Sequence, residues 1–304
     1  MLNLGTLIAL TFLYAQSSVA RQVVQVRWPS KHASSPVSVG GVQGEWLPAF
    51  RLALAAMPEE AIVSSSLSQG QWLGLRPDEA KRLQELFSNY YSRLRQSDPF
   101  GAAPSTLQYC FSDRKPSEGL ATAYFPNNVT TDTKTIVFLH GYGGSLLAYL
   151  HFLTSAFPDH VIICPAYGIS CANIPASYVT EALKAVSSRL KVETGKPLLV
   201  GLSAGGFGAC RLFVQKPELF RGLVCLAAYP PSDTLQRFNT GMDVRFVCGA
   251  LESYVANGSL RRQMDALKPK VKSLDWRILD GADHYFLLSH EDLTRKTLLE
   301  WESP

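Results

Sequence analysis

The chain has 304 residues, of which 46% are hydrophobic, 11% are aromatic and 18% are charged. This composition can bury a large core, so it excludes a disordered, collagen-like or low-complexity chain. The formal charge is +4, from 29 basic and 25 acidic residues with no long basic block, which argues against a nucleic-acid-binding surface. We therefore expect a globular protein.

The first twenty residues have the pattern of a signal peptide. They contain no Asp, Glu, Lys or Arg, and the apolar run from Leu7 to Ala15 has the length of a signal-peptide core, too short to span a bilayer. Small residues at Ser18 and Ala20 fit a cleavage site before Arg21. The sequence predicts a signal peptide over residues 1–20, export to the periplasm or medium, and no integral membrane segment afterwards. The alternative is a mobile tail or a buried first helix.

Residues 21–104 predict an N-terminal helical extension. A mixed stretch to about Gly44 is followed by apolar residues at helical spacing from Glu45 to Met57. A second helix is predicted from Arg76 to Leu94, because Pro77 and acidic residues at its start suit a helix N-terminus. The sequence assigns no role to this extension.

From residue 105 to 304, short apolar runs alternate with helical patterns. This alternation is typical of a mostly parallel sheet with helices on both faces, opened by an antiparallel pair. The predicted strands are Thr106–Phe111, Leu120–Phe125, Thr135–Leu139, Val161–Cys164, Leu198–Gly201, Gly222–Cys225, Val244–Cys248 and Ser273–Leu279. We expect an α/β domain with about eight strands over residues 105–304.

The six cysteines carry no metal-binding pattern. No CxxC and no Cys/His spacing typical of zinc occurs, so we expect no structural metal. Cys164 and Cys171 lie seven residues apart in a loop rich in Gly, Pro and Ser, so a disulfide between them is feasible and stays open. The remaining four cysteines are Cys110, Cys210, Cys225 and Cys248, of which the last three fall in apolar runs.

A serine stands between a predicted strand and a predicted helix in the run Gly201-Leu202-Ser203-Ala204-Gly205. A serine on such a tight turn is held clear of the sheet at the positive end of the following helix, and the flanking glycines allow close packing around it. This context makes Ser203 the candidate nucleophile.

A second glycine-rich turn follows the strand Thr135–Leu139 and reads His140-Gly141-Tyr142-Gly143-Gly144. With the serine turn, it resembles the α/β-hydrolase family, whose oxyanion loop often reads HG followed by small residues. The resemblance implies an oxyanion hole built from the backbone N–H groups of Ala204 and Tyr142, with Gly143 as the alternative to Tyr142. It also implies that His140 is structural. Within the family, the two motifs look most like the feruloyl-esterase, polyester-depolymerase and prolyl-oligopeptidase-type branches.

The resemblance also implies a catalytic histidine after the last strand and an acid after the strand Val244–Cys248. His284 follows the last predicted strand. Glu252 follows the strand Val244–Cys248, at a position where the family commonly has Asp. The chain order Ser203, Glu252, His284 fits a hydrolase triad. Asp233 is the main rival for the acid, whereas Asp243 precedes its strand and would lie at the wrong end.

The resemblance implies an α/β-hydrolase fold and a serine carboxylic-ester hydrolase that needs no cofactor. The linker between the strands Gly222–Cys225 and Val244–Cys248 is short, which favours a small-molecule or accessible polymeric ester over a lipid droplet. Tyr142 and Phe207 are candidates for lining the acyl pocket. A serine peptidase or an acyltransferase with the same triad, and a binding protein with an inactive triad, remain the alternatives. The sequence does not indicate the oligomeric state.

Overall fold

The computed structural model describes most of the chain beyond the predicted signal peptide. The described residues are 20–31, 52–54, 56–68, 76–111, 118–141, 144–193 and 195–302. Residues 1–19 lie outside them, so the signal peptide stays a prediction. Most of the helix predicted from Glu45 to Met57 also lies outside, although residues 52–54 and 56 are helical.

The eight strands of the described chain form one sheet. They are β1 (Gln22–Pro29), β2 (Glu118–Phe125), β3 (Thr135–Leu139), β4 (Val161–Pro165), β5 (Leu198–Leu202), β6 (Gly222–Leu226), β7 (Asp243–Gly249) and β8 (Ser273–Leu279). Their spatial order is β1-β2-β4-β3-β5-β6-β7-β8. Strands β1 and β2 pair with each other, and β2 with β4, in antiparallel fashion, and β3 to β8 are parallel. The predicted mostly parallel sheet is confirmed.

Helices cover both faces of this sheet. They are α1 (Glu59–Ser68), α2 (Pro77–Gln96), α3 (Gln108–Phe111), α4 (Leu146–Ala156), α5 (Ala176–Leu190), α6 (Ala204–Gln215), α7 (Ser253–Ala256), α8 (Ser259–Leu267), α9 (Phe286–Ser289) and α10 (Glu291–Glu302). One core cluster contains residues of α5, α6 and α8, and a second contains residues of α2, α4 and α10. Alternate residues of β3 enter each cluster: Val137 and Leu139 the first, Ile136 and Phe138 the second. Both faces of the central strands β3 to β6 are buried, so these strands read as continuous apolar runs.

The strand that opens the sheet is not the predicted one. We expected Thr106–Phe111 to be a strand, but Gln108–Phe111 forms the short helix α3. The backbone N–H groups of Thr106 and Leu107 donate to the side chain of Glu59 rather than to a neighbouring strand, so this segment does not join the ladder.

The edge strand β1 lies instead inside the segment that we expected to be a helical extension. All eight of its residues pair with β2. Its valines favour a strand, Val26 and Trp28 are buried against the sheet, and Pro29 is tolerated because it ends an edge strand. Residues 21–104 are therefore not wholly helical, although the predicted second helix is confirmed as α2.

The six cysteines are all buried and unpaired in the structure, Cys164 and Cys171 included. Burial raises the pKa of the Cys171 thiol to about 11. Among the described residues, no helix has both the length and the apolar character needed to cross a bilayer.

Candidate active site

The backbone of Ser203 is held in a conformation that L-residues rarely adopt. Its φ is 53° and its ψ is −121°, between the end of β5 and the start of α6. Neighbouring backbone holds it there: the Ser203 N–H donates to the Leu226 carbonyl at 2.9 Å, and the Ser203 carbonyl accepts from Gly206 at 2.8 Å. Strain of this kind persists where surrounding structure enforces it and is often found at functional sites.

The two glycines of the serine turn are required by close packing. A Cβ on Gly201 would lie 2.4 Å from the Gly205 carbonyl oxygen, and a Cβ on Gly205 would lie 2.2 Å from the Leu139 carbonyl oxygen. Both separations are far below van der Waals contact. The GxSxG pattern is thus explained by the approach of α6 to the ends of β3 and β5.

Ser203, His284 and Glu252 form a continuous hydrogen-bonded chain. His284 Nε2 lies 2.9 Å from Ser203 Oγ, and His284 Nδ1 lies 2.9 Å from Glu252 Oε1. Because a carboxylate can only accept, Nδ1–H donates to Glu252, which leaves Nε2 to accept from the serine hydroxyl. The side chain of Glu252 is 9% exposed and that of His284 is 42% exposed, so the imidazole is more open to solvent than the carboxylate that accepts from it.

The acid raises the basicity of this imidazole. The hydrogen bond to Glu252 raises the pKa of His284 above its ordinary value. It outweighs burial, which lowers the pKa, and the negative charges of Glu252 and Asp283 act in the same direction as the bond. An imidazole with these partners is suited to accept a proton from Ser203.

Gly249 brings the acid and the histidine together, a role that the sequence analysis missed. A Cβ at this position would lie 2.4 Å from the Ala282 carbonyl oxygen and 2.6 Å from that of Asp283. Just beyond it, the Leu251 N–H donates to the Ala282 carbonyl at 2.9 Å. A glycine at the end of β7, three residues before the candidate acid, was the available sequence signal.

The other candidate acids have different partners. Asp233 is 64% exposed and pairs with Arg211 at 3.4 Å. Asp243 begins β7, whereas Glu252 lies beyond the other end of the same strand. The Asp243 carboxylate accepts from Ser273 Oγ at 2.6 Å. Neither contacts His284 in the described structure, so Glu252 is the residue that geometry brings to the imidazole.

His140 has a structural environment. It is 1% exposed, its Nδ1 lies 2.9 Å from the Gly141 carbonyl oxygen, and the Tyr167 N–H donates to its Nε2 at 3.4 Å. Burial lowers the pKa of His140 to about 4 despite the hydrogen bond to Gly141. The neutral ring therefore links the backbone just after β3, at Gly141, to the backbone at Tyr167.

One of the predicted oxyanion donors lies within the described chain. Ala204 is the first residue of α6, so its N–H is among those that a helix leaves without an intrahelical partner. Tyr142 and Gly143 lie outside the described residues, and the second donor stays a prediction.

A cavity of about 370 Å³ opens beside the nucleophile helix. Its wall includes Phe207, one turn after Ser203 on α6, and Tyr229, whose rings stand 5.4 Å apart edge to face. The Tyr229 ring in turn lies 4.8 Å from that of Tyr254, two residues after Glu252. Phe207 therefore lines a cavity, as an acyl-pocket residue would, but its role in binding the acyl group stays a prediction.

Helices α1 and α2 contact the loops that follow the strands next to the candidate site. Arg82 of α2 forms an ion pair with Asp283, the residue before His284. Glu59 of α1 accepts from Ser145 Oγ at 2.5 Å, and Ser145 caps α4 just beyond the loop that follows β3. Across the described residues, no group of three or more His, Cys, Asp or Glu side chains could hold a metal ion.

These features define the class of fold. The strand order, the antiparallel β2 and the strained serine between β5 and α6 are those of the α/β-hydrolase fold, with Glu252 after β7 and His284 after β8. The chain therefore has the α/β-hydrolase fold.

Comparison with known proteins gives the following similarities. No family model matches the chain. It is 27% identical over 112 residues to the pimeloyl-[acyl-carrier protein] methyl ester esterase of Wigglesworthia glossinidia brevipalpis, a match that spans 35% of this chain and 41% of that protein. Among solved structures it is similar to Est1E from Butyrivibrio proteoclasticus (12% identity, TM-score 0.47, 66% of this chain and 97% of that one). It is also similar to a dienelactone hydrolase from Anabaena variabilis (15% identity, TM-score 0.49, 60% and 90%).

Proposed function

We propose that this protein is a serine hydrolase that cleaves carboxylic esters through an acyl-enzyme intermediate. The observation that carries the proposal is the unbroken chain of hydrogen bonds, each 2.9 Å, from Ser203 Oγ through His284 to Glu252. A serine hydroxyl is a weak nucleophile without an adjacent base, and this arrangement supplies one.

The first half of the reaction forms the acyl-enzyme. Ser203 Oγ attacks the ester carbonyl carbon while its proton passes to His284 Nε2. Glu252 stabilises the resulting imidazolium through Nδ1–H. The tetrahedral intermediate then collapses, the C–O bond to the alcohol breaks, and His284 returns the proton to the leaving alkoxide.

The second half regenerates the enzyme. Water attacks the acyl carbon, giving a proton to His284, and the Ser203 oxygen leaves with that proton as the carboxylic acid is released. In both halves the negative oxygen rests against the N–H of Ala204, at the positive end of α6. Each such donor is worth about 3 kcal/mol of transition-state stabilisation.

Two observations support a small or accessible ester as the substrate. The segment that joins β6 to β7, residues 227–242, contains only one short turn of helix, Leu235–Arg237, which leaves little chain for a large lid there. The curated relative is itself named as a methyl ester esterase.

A fluorophosphonate probe followed by intact-mass measurement tests the proposal without a guess at the substrate. We expect one adduct on the native chain, none on Ser203→Ala, and an undiminished adduct on Ser232→Ala, which removes an exposed hydroxyl at the neighbouring cavity. Hydrolysis of short p-nitrophenyl esters should fall about 10⁴-fold or more in Ser203→Ala.

The outcomes separate the alternatives. No adduct and no ester turnover in the native chain would refute a serine hydrolase. An adduct combined with turnover of peptide amides but not of esters would replace the esterase by a peptidase.

A further inference from the structure

The loop that carries His284 is held by helix α2 as well as by the sheet. Arg82 of α2 forms an ion pair with Asp283 Oδ2, while Asp283 Oδ1 accepts from the Tyr285 N–H at 2.9 Å. The two residues that flank His284 are thus joined to each other and to α2. The aromatic rings continue this link: Phe87 of α2 stands edge-on to Tyr285 at 6.4 Å, and Tyr285 stands edge-on to His284 at 5.8 Å.

Helix α2 is itself anchored in the core, so it can act as a rigid support. Leu83, Tyr90 and Leu94 are buried, and the Tyr90 hydroxyl donates to the Ala148 carbonyl of α4 at 2.9 Å. A side chain on such a helix can fix the loop that it contacts, whereas a side chain on a loose segment would move with that loop.

We propose that Arg82 is a positioning residue for His284, acting through the carboxylate of Asp283. The proposal rests on the proposed function, because it assigns Arg82 a part in orienting the base of that same site. Arg82 does not touch the reacting atoms; it holds Asp283, and Asp283 fixes the backbone on both sides of the imidazole.

The same contact has an electrostatic consequence. The charges that act on the imidazole are those of Glu252, from the segment after β7, and of Asp283 in its own loop. Glu79 and Arg82 of α2 act on the neighbouring Tyr285. Asp283 favours the protonated imidazole, and Arg82 offsets that charge. Removal of Arg82 should therefore raise the pKa of His284, whereas removal of the Asp283 charge should lower it.

The chain offers a matched control on the same helix. Arg93 of α2 pairs with Glu291 of α10 at 2.6 Å, away from the His284 loop. The exposed fractions are alike: 43% and 21% for Arg82 and Asp283, 55% and 19% for Arg93 and Glu291. Both substitutions remove one similar surface ion pair, and Arg93→Ala also removes the contact of Arg93 with the Tyr90 ring, 5.2 Å away. A larger loss of kcat in Arg82→Ala than in Arg93→Ala therefore reports position rather than stability.

The experiment compares Arg82→Ala, Asp283→Asn, the double variant and Arg93→Ala with the native chain. The pKa of His284 is measured by NMR titration, with its resonances assigned from His284→Gln. Ester turnover is measured per folded molecule, well below the unfolding midpoint.

For Arg82→Ala we expect kcat to fall about tenfold with KM little changed, because the base is misplaced. We expect the His284 pKa to rise by about half a unit at low salt, and the shift to shrink at high salt. The acidic limb of the pH profile of kcat/KM should shift to higher pH by the same amount. Asp283→Asn and the double variant should both show a lowered pKa, and Arg93→Ala should leave kcat and the pKa unchanged.

Equal effects of Arg82→Ala and Arg93→Ala on both readouts would overturn the proposal, as would lowered stability with unchanged kcat and pKa. The NMR titration needs no turnover. If the His284 pKa shifts in Arg82→Ala but the native chain shows no ester turnover, the proposed function is refuted while the coupling of Arg82 to His284 is established.

Discussion

Glu59 is a buried carboxylate that joins three separate parts of the chain. It is 6% exposed at the start of α1. Its Oε1 accepts from the backbone N–H groups of Thr106 and Leu107 at 2.5 and 2.9 Å, and its Oε2 accepts from Ser145 Oγ at 2.5 Å. Further hydroxyl donors are Ser105, Thr106 and Tyr91. All of these partners donate, which suits an ionised carboxylate.

Replacing Glu59 by Ala should strongly destabilise the fold. Two buried backbone N–H groups would lose their acceptor, at about 1–3 kcal/mol each, whereas the hydroxyls can rotate toward other partners. We expect the free energy of unfolding to fall by about 4 kcal/mol, a large part of the stability of a typical protein. Glu59→Gln keeps one acceptor oxygen and should lose about half as much.

The neighbouring residue provides the control. Glu60 pairs with Arg95 at 2.7 Å at the surface, with exposed fractions of 25% and 59%, and such a pair is worth about 1 kcal/mol or less. Urea unfolding of Glu59→Ala and Glu60→Ala should therefore give clearly different midpoints at similar slopes. A Glu59→Ala variant within about 1 kcal/mol of Glu60→Ala would show that the hydrogen-bond count overstates the role of Glu59.

Two further predictions concern the His284 loop and the stability in acid. Gly249→Ala should lower kcat at least about tenfold, because the new Cβ would displace the Ala282 carbonyl and with it His284. Gly195→Ala, where a Cβ meets nothing within 4 Å, should leave kcat unchanged, and equal activities would contradict the packing argument. Separately, three basic side chains contact the carboxylate of Glu302: Lys134, His160 and Arg221. Burial alone would raise the pKa of Glu302, but hydrogen bonds and charges from these partners lower it from 4.5 to about 2. This stabilisation is complete above pH 4.5 and lost as the pH falls toward 2. It amounts to about 2 kcal/mol after screening, so Glu302→Gln should show a smaller loss of stability in acid than the native chain; identical acid titrations would argue against the network.

Much of the fold could be predicted because its signals are local. The strands β3 to β6 are buried along their whole length in a sheet covered on both faces, so each reads as an apolar run bounded by turns. The predicted bounds of β3 and β8 match the structure residue for residue. The signal of the serine turn is local too, because Gly201 and Gly205 are required by close packing around one strand-to-helix junction.

The errors occurred where a remote contact decided the local structure. Thr106–Phe111 has the composition of a strand, but the side chain of Glu59, 47 residues before Thr106, takes up its first N–H group. Gln22–Pro29 has little periodicity because an edge strand is buried unevenly, and only its pairing with β2 reveals it.

The sequence by itself therefore determined the class of fold, the strained serine and the chain order of the three candidate triad residues. The tertiary structure alone decided which carboxylate meets the imidazole. Glu252 and Asp233 are both acids that follow a strand, and only the approach allowed by Gly249 brings Glu252 to His284. It also decided that α2 supports the same loop, since Arg82 and Asp283 are 201 residues apart. Contacts between distant segments depend on how helices and loops pack in space, and no local pattern of residues encodes that packing.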